Sequence, residues 1–427
     1  MSRWRDLADG DALYRLAADL FPLCRSITGP GIRETLARLA EYLPLDLVEV
    51  PSGTKVLDWT VPNEWTIRDG YILDPKGSRV VDFHRSNLHV VSYSTPVALD
   101  LTLAELRPRL HTIPERPDWT PYRTSYYQET WGFCLSQRQL DGLPEGRYRA
   151  VIDADLRPGG LVFGECVLPG REPGEVLLST HCCHPSLAND NLSGVVVAAG
   201  LAKWLAGRDR RLTYRILFVP GTIGALAWLD RNRLAGERVT AGLVLSCLGD
   251  RGSLSFKQSR RGDTVTDRAI AHLFGTGGIG TVRPFAPTGY DERQYCSPGF
   301  NLPVGALTRT RNGQYPEYHT SADDLALIDP TSLGDSLSFL QAFVDLLDGN
   351  VRFRSQEQFG EPQLGRRGLF RSGGGRVEAA HLEEAMLWVL NMSDGGADLL
   401  AIADRSGIPY PQVVAAAMAL REAGLLV

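Results

Sequence analysis

No apolar run in this chain approaches the roughly 18 residues needed to span a membrane, so no transmembrane segment is expected. The first residues, Met-Ser-Arg-Trp-Arg-Asp-Leu-Ala-Asp, are too polar for a secretion signal. A cytoplasmic location is the expectation. Surplus positive charge is missing as well. The 45 Lys and Arg against 50 Asp and Glu leave a formal net charge of −5, which gives no general attraction to nucleic acid or anionic membranes. Cysteines are too few and scattered for a disulfide framework. There are seven, an odd number, and they read as reduced thiols. Internal repeats are also absent. What remains is a 427-residue chain, 43% hydrophobic and 22% charged, with the balance of a folded protein and length for two or three domains.

The pattern changes along the chain. Residues 1–46 read as helical, with Leu13, Leu16, Leu20 and Phe21 at helical spacing and a second stretch, Ile32 to Tyr42, after Gly29-Pro30-Gly31. Residues 47–130 hold short strand-like runs, Val56–Val61, Tyr71–Leu73, Val80–Phe83 and Leu88–Val91, broken by Pro, Gly and Asn. They predict a small inserted β domain. Residues 131–350 alternate. Predicted strands are Val176–Ser179, Thr213–Val219, Gly242–Leu245 and Val304–Leu307. Predicted helices are Leu192–Ala206, Ile223–Asn232, Thr266–Phe274 and Leu333–Leu347. That alternation predicts an α/β domain, its mixed or parallel sheet covered by helices on both faces. Residues 351–375 read as a linker ending in Gly373-Gly374-Gly375, and 376–427 as three short helices.

Chemistry concentrates after the first of those strands. Val176–Leu178 leads to His181, Asp190 follows nine residues on, and an apolar helix begins after Gly194. Ligands at the carboxyl ends of parallel strands are a common way to hold a catalytic metal, and imidazole with carboxylate suits zinc. Three further segments would converge on the same end: Phe218–Gly224, Tyr290–Cys296 and Tyr318–Asp324.

These segments resemble the zinc-dependent aminopeptidases of the leucyl and Streptomyces type. The chain resembles more closely the aminopeptidase-like proteins with an inserted β domain and a winged-helix-like C-terminus, which are often associated with polysaccharide or natural-product biosynthesis. This closer resemblance covers nearly the whole chain, including Arg25-Ser26-Ile27-Thr28-Gly29 and Trp131-Gly132-Phe133-Cys134. It implies a zinc-aminopeptidase-like mixed sheet and a winged-helix-like domain at 376–427. Residue by residue, His181 matches the histidine of the family's His-x-Asp motif. Cys183 stands where that motif has its orienting aspartate. Asp190 matches the metal-bridging aspartate, and His319 the last histidine ligand. Tyr290-Asp291 matches the Ser-Asp pair beside the site.

Three departures follow from the same match. The family's Glu-Glu pair, general base then ligand, falls on Gly221-Thr222, and its later aspartate ligand falls on Ser246. What remains, His181, Asp190 and His319, is a three-ligand set suited to one zinc ion rather than two. Gly221 takes no proton, so ordinary aminopeptidase activity should be weak, and Gly221→Glu should raise it if the loop geometry holds. Asp291 and Glu292 are the candidate replacement bases, with Tyr290 narrowing the pocket. The bland alternative has Asp291 pinning the loop and Glu292 paired with Arg293. Arg293, Tyr315 and Tyr318 are the candidate substrate-binding residues, as carboxylate and oxyanion partners; Arg25, Arg309 and Arg311 are weaker candidates, and the tyrosines alternatively pack. His184 is a fourth ligand, a residue that orients one, or a loop residue. Cys182 and Cys183 are capable of zinc binding, but adjacent cysteines rarely both face one metal. Asp250 would replace the missing carboxylate only if its strand end shifted. His84, His89, His111, His272 and His381 read as structural or surface residues.

Two functions follow. One is a zinc-dependent hydrolase or acyl-transfer enzyme acting on an amide of a small amino-acid, peptide or sugar derivative. The other is an inactive aminopeptidase fold that binds a ligand or serves as a scaffold. The tail resembles a helix-turn-helix, with Leu399–Gly407 then Pro411–Ala417, but 376–427 carries three arginines and no lysine against seven Asp or Glu. Phosphate binding needs the opposite sign. A small-molecule substrate, no nucleic acid, no membrane and a homo-oligomer are the expected partners, with the tail serving packing or oligomerisation.

Overall fold

The structure, a computed structural model, describes residues 7–369 and 377–427. It divides into two compact units. The first runs to Asp267 and resumes over Gly278–Leu340; the second is Arg268–Gly277 with Gln341–Val427. No described helix is long and apolar enough to cross a membrane.

An eight-stranded mixed sheet forms the first unit. Its order is Asp46–Pro51, Gly160–Leu168, Thr213–Val219, Glu175–His181, Val239–Leu245, Val304–Thr308, Ser255–Lys257 and Thr281–Arg283. The four middle strands, from Thr213–Val219 to Val304–Thr308, run parallel. They read as apolar runs because both faces are covered. Every residue of Glu175–His181 is buried. The following helix, Gly194–Ala206, is apolar nearly all round and accordingly buried, from Val195 to Ala202 without a break.

The N-terminal helices belong to this unit. Gly10–Leu20 starts where the Asp9 side chain accepts from Ala12 N at 2.8 Å, and it buries Leu13, Leu16, Ala17 and Leu20. Before the second helix, Pro30–Ala40, Gly29 has φ +98°. A β-carbon there would lie 2.1 Å from the Trp65 carbonyl oxygen, so only glycine fits this crossing.

Strand pairing departs from the expected 47–130 boundary. Asp46–Pro51 is an edge strand of the large sheet, paired with Gly160–Leu168. The small four-stranded sheet takes its third member from outside that range: its order is Arg79–Asp82, Glu64–Leu73, Arg147–Arg157, Val97–Thr102. Arg147–Arg157 alternates buried and exposed residues along most of its length, the signature of a sheet with one face on a core. The apolar run Leu88–Val91 is not a strand. Ser86 accepts from Leu88 N and starts a short 3-10 turn over Asn87–His89.

In the second unit, part of the expected linker is a strand. Arg352–Arg354 pairs antiparallel with Asp394–Asp398, and Ser355 bridges to Leu426, so the chain end closes on residues 352–355. The three tail helices are Val377–Met392, Leu399–Ser406 and Tyr410–Glu422. Asp398 caps the second, accepting from Ala401 N, and Arg268 pairs with the same carboxylate. Gly373-Gly374-Gly375 and the His381 side chain lie outside the described residues.

Candidate metal centre

The carboxyl ends of the four parallel strands build the site. His181 ends Glu175–His181, Gly221 follows Thr213–Val219, Ser246 follows Val239–Leu245, and Arg309 follows Val304–Thr308. In the ladder His181 lies beside Val219, and Val244 beside Ala306. Residues far apart in sequence thus share one edge.

Asp190 is the hub. Its Oδ1 lies 2.8 Å from His181 Nε2 and its Oδ2 3.0 Å from His319 Nε2. His184 Nδ1 stands 3.3 Å from that Oδ2 and 3.2 Å from the Asp190 carbonyl oxygen. Asp190 and His181 are fully buried, whereas the His319 side chain is 34% exposed and forms the solvent side. His319 takes a left-handed backbone, φ +56°, a conformation uncommon for a non-glycine residue and often seen at functional sites. The Asp190–Asn191 and Gly221–Thr222 peptide bonds are cis.

Electrostatics follows from burial. Burial drives the His181 imidazole down to about 4, against the pull of Asp190, so its ring is neutral and fit to donate a lone pair. For His184, burial is outweighed by the Asp190 carboxylate, and the net direction is up. Burial would raise Asp190 too, but its three histidine neighbours hold it well below the carboxylate range. Asp323 is pushed up to about 7 by burial and then by the charge of Asp190. It accepts from Asn189 N at 2.6 Å, Asp190 N at 3.1 Å and the Tyr315 hydroxyl at 3.1 Å.

Surrounding residues fix this geometry. Asn191 donates to the His181 carbonyl at 3.0 Å and accepts from Cys247 N at 3.0 Å. Asn189 accepts from Gly249 N at 3.1 Å. Buried Arg25 donates to the His184 carbonyl at 2.7 Å. Tyr122 packs edge-on against His184 and His319, at 5.2 Å from each ring, and its N–H donates to the His319 carbonyl at 2.7 Å. None of Asn189, Asn191 and Tyr122 carries a sequence signal of its own; the two asparagines flank Asp190.

Of the expected ligands, His181 and Asp190 fall in one metal-suited group whose third member is His184; His319, the third expected ligand, reaches Asp190 Oδ2 but lies outside that group. The ligand atoms of His181, His184 and Asp190 lie within 4.8 Å of one another, a group suited to a metal ion. No other such group occurs among the described residues. Two imidazoles and a buried carboxylate fit one zinc. Nothing at Gly221, Thr222 or Ser246 offers a carboxylate for a second. Asp250 does not replace them: it accepts from Asn189 Nδ2, Thr310 Oγ1 and Gly252 N. Burial pushes the Cys183 thiol up to about 12 and Cys182 well above its ordinary value, which opposes thiolate ligation.

Tyr290 lies over the site, its ring centre 3.8 Å from that of His181. A β-carbon built on Gly221 would lie 2.2 Å from Tyr290 Cε1, so the tyrosine fills the space of the missing side chain. Gly221→Glu alone therefore meets a ring, so the condition on its expected gain, an otherwise unchanged loop, is not met. Glu292 pairs with buried Lys257, not with Arg293, and accepts from Tyr290 N. Arg293 is exposed and donates to the Tyr290 carbonyl at 3.2 Å. Both Asp291 carboxyl oxygens are buried without a hydrogen-bond partner, and burial, then the neighbouring Glu292, raises this group well above the carboxylate range. Tyr318 stacks on His319 at 4.0 Å. Arg309 is spent on Ser336, Gly252 and Ser332. Of the other histidines, His89 contacts the Cys134 carbonyl and His272 pairs with Asp404.

Known proteins place this fold. Residues 14–350 match the family model DUF4910, a domain of unknown function, and residues 352–427 match a winged helix-turn-helix. A Clostridium acetobutylicum protein whose name assigns it to polysaccharide biosynthesis, with an aminopeptidase-like domain, is 45% identical over 98% of this chain and 96% of its own length. The crystal structure of a Clostridium acetobutylicum protein named as a candidate peptidase superposes with a TM-score of 0.91 at 44% identity, covering 98% of this chain and 96% of that one. The zinc aminopeptidase of Bacillus subtilis shares the fold, with a TM-score of 0.57 at 13% identity over 80% of this chain and 95% of that one. The chain belongs to the DUF4910 family, with a zinc-aminopeptidase-like fold, inserted small β-sheets and a C-terminal winged helix-turn-helix domain.

Proposed function

We propose that this protein is a single-zinc hydrolase or acyl-transfer enzyme acting on an amide of a small amino-acid, peptide or sugar derivative. The observation that carries the reading is the convergence of His181, His184 and His319 on buried Asp190 at the carboxyl edge of the sheet. The named role of the Clostridium relative supports specialised or polysaccharide biosynthesis as the setting. A bound zinc supplies Lewis acidity, polarising a carbonyl and easing water deprotonation.

The chain's residues have the following proposed parts. His181 and Asp190 hold the metal with His184, and His319 closes the solvent side. Asn191 and Arg25 orient the His181 and His184 backbone. Tyr290, kept protonated by burial, covers the site and restricts it to slim substrates. Asp291 is the proposed proton donor rather than the replacement base, because a buried, unpartnered carboxyl with a raised pKa is held protonated and has a proton to give. Glu292, tied to Lys257, holds the loop. Tyr315 and Tyr318 line the substrate side beside His319, and Arg293 braces the loop at its outer surface.

A second reading, a metal-holding protein that binds without turnover, is favoured by the absence of a carboxylate at Gly221, Thr222 and Ser246. Screening small amides with full-length protein separates the two. The first reading predicts chelator-sensitive turnover of some amide, lost in Asp190→Asn, with weak turnover of aminoacyl anilides. Brisk anilide hydrolysis would contradict a specialised site, and binding without turnover of any amide would favour the second reading.

A further inference from the structure

Beside the metal centre lies a cavity of about 250 Å³. Ser246, Tyr290 and Asn312 line its inner side, and Lys257, Arg283 and Arg311 give it three cations against one acid, Glu292. The ion pair with Glu292 neutralises Lys257, whose ammonium also donates to the Thr288 carbonyl at 2.7 Å. The two arginines differ. Arg283 spends only Nε, on Ser255 Oγ at 2.8 Å. Arg311 has one long contact, 3.4 Å to Gln314 Oε1. Neither has a carboxylate partner among the described residues. Burial, then the neighbouring Arg311, holds Arg283 below its ordinary value against the weaker pull of Glu292, so the two guanidinium groups repel across the cavity.

We propose that this cavity binds an anionic, oxygen-rich group of the substrate, a carboxylate or a phosphate, between Arg283 and Arg311. Planar guanidinium groups bind either anion with paired N–H donors, and an anion between them removes their repulsion. The cavity is smaller than the roughly 300–1,000 Å³ of a site for a drug-sized ligand, so it takes one part of a substrate, not the whole. Its inner side, at Ser246 and Tyr290, meets the metal centre through the close, tilted contact of the Tyr290 ring with His181. The scissile amide would then lie next to an acidic substituent. The word substrate rests on the enzymatic reading above; anion binding stands on the cavity itself.

Calorimetric titration of the full-length protein with inorganic phosphate and with malonate tests this. Saturable binding of at least one anion is expected, weakened roughly tenfold or more in Arg311→Gln, as for loss of a charged hydrogen bond, and further in the double variant with Arg283→Gln. Preference for phosphate or malonate identifies the source of the anion. Arg311 is exposed, so its variant tests the site even if Arg283→Gln does not fold. Binding should survive EDTA. Binding abolished by EDTA but unchanged in Arg311→Gln would place the anion on the metal and overturn the proposal, as would no binding of either anion. Failure to find amide turnover would leave the anion result standing, so the two readings fail separately.

Discussion

The ring of Tyr290 fills the space that a side chain at Gly221 would need, with its hydroxyl 2.5 Å from the position of a β-carbon there. The two residues form a complementary pair: a small residue on one loop admits a large one from another. Gly221→Glu alone should therefore lower stability by about 1–3 kcal/mol, the usual cost of overpacking, without raising anilide hydrolysis. Adding Tyr290→Ser should recover much of that stability. Thermal melts and anilide turnover of the two variants check both statements; a stable, active single variant would show that the ring moves aside freely.

Asp291 should trade stability for function. Its folded pKa is raised above the unfolded value of about 4, so between those values the native state binds a proton that the unfolded chain does not. Stability from this group therefore falls as pH rises through that window. Asp291→Asn removes the effect. Its melting temperature relative to the parent should improve from pH 5 to pH 8, while amide turnover falls. An advantage that shrinks with rising pH would contradict the assignment of a neutral buried carboxyl.

Glu292 should behave differently. Its side chain and that of Lys257 are 2% and 5% exposed, and removing one partner of a buried pair typically costs about 3–5 kcal/mol. Glu292→Gln should thus be strongly destabilised, with any loss of activity tracking loss of folded protein in urea titration. Normal stability with lost turnover would move Glu292 into the chemistry.

For the tail, no salt-sensitive DNA binding is expected from the full chain. The winged helix-turn-helix match would suggest otherwise, but seven acids against three arginines in 376–427 oppose counterion release. Fluorescence polarisation with duplex DNA at low ionic strength checks this. Light scattering tests the companion proposal that the protein is a homo-oligomer.

Much of the site was legible because its pieces are local. An apolar strand, His181, Asp190 and a buried helix follow one another within a short segment, and Thr213–Val219 coincides with its predicted bounds. Pairing between distant strands was not legible. Nothing in Arg147–Arg157 announces that it joins a sheet begun at Glu64, and the short strand Thr281–Arg283 carries no motif that marks Arg283 as a cavity residue. Arg352–Arg354 looked like linker because its partner, Asp394–Asp398, is about 40 residues away. The Tyr290–Gly221 fit required coordinates: sequence shows two unusual residues, not that one fills the place of the other.

The central claim is one metal held around Asp190. Elemental analysis of the full-length protein after zinc loading and dialysis tests it most directly. One zinc per chain is predicted, lost in Asp190→Asn and in His181→Ala. Two zinc ions per chain, or one retained in both variants, would contradict it.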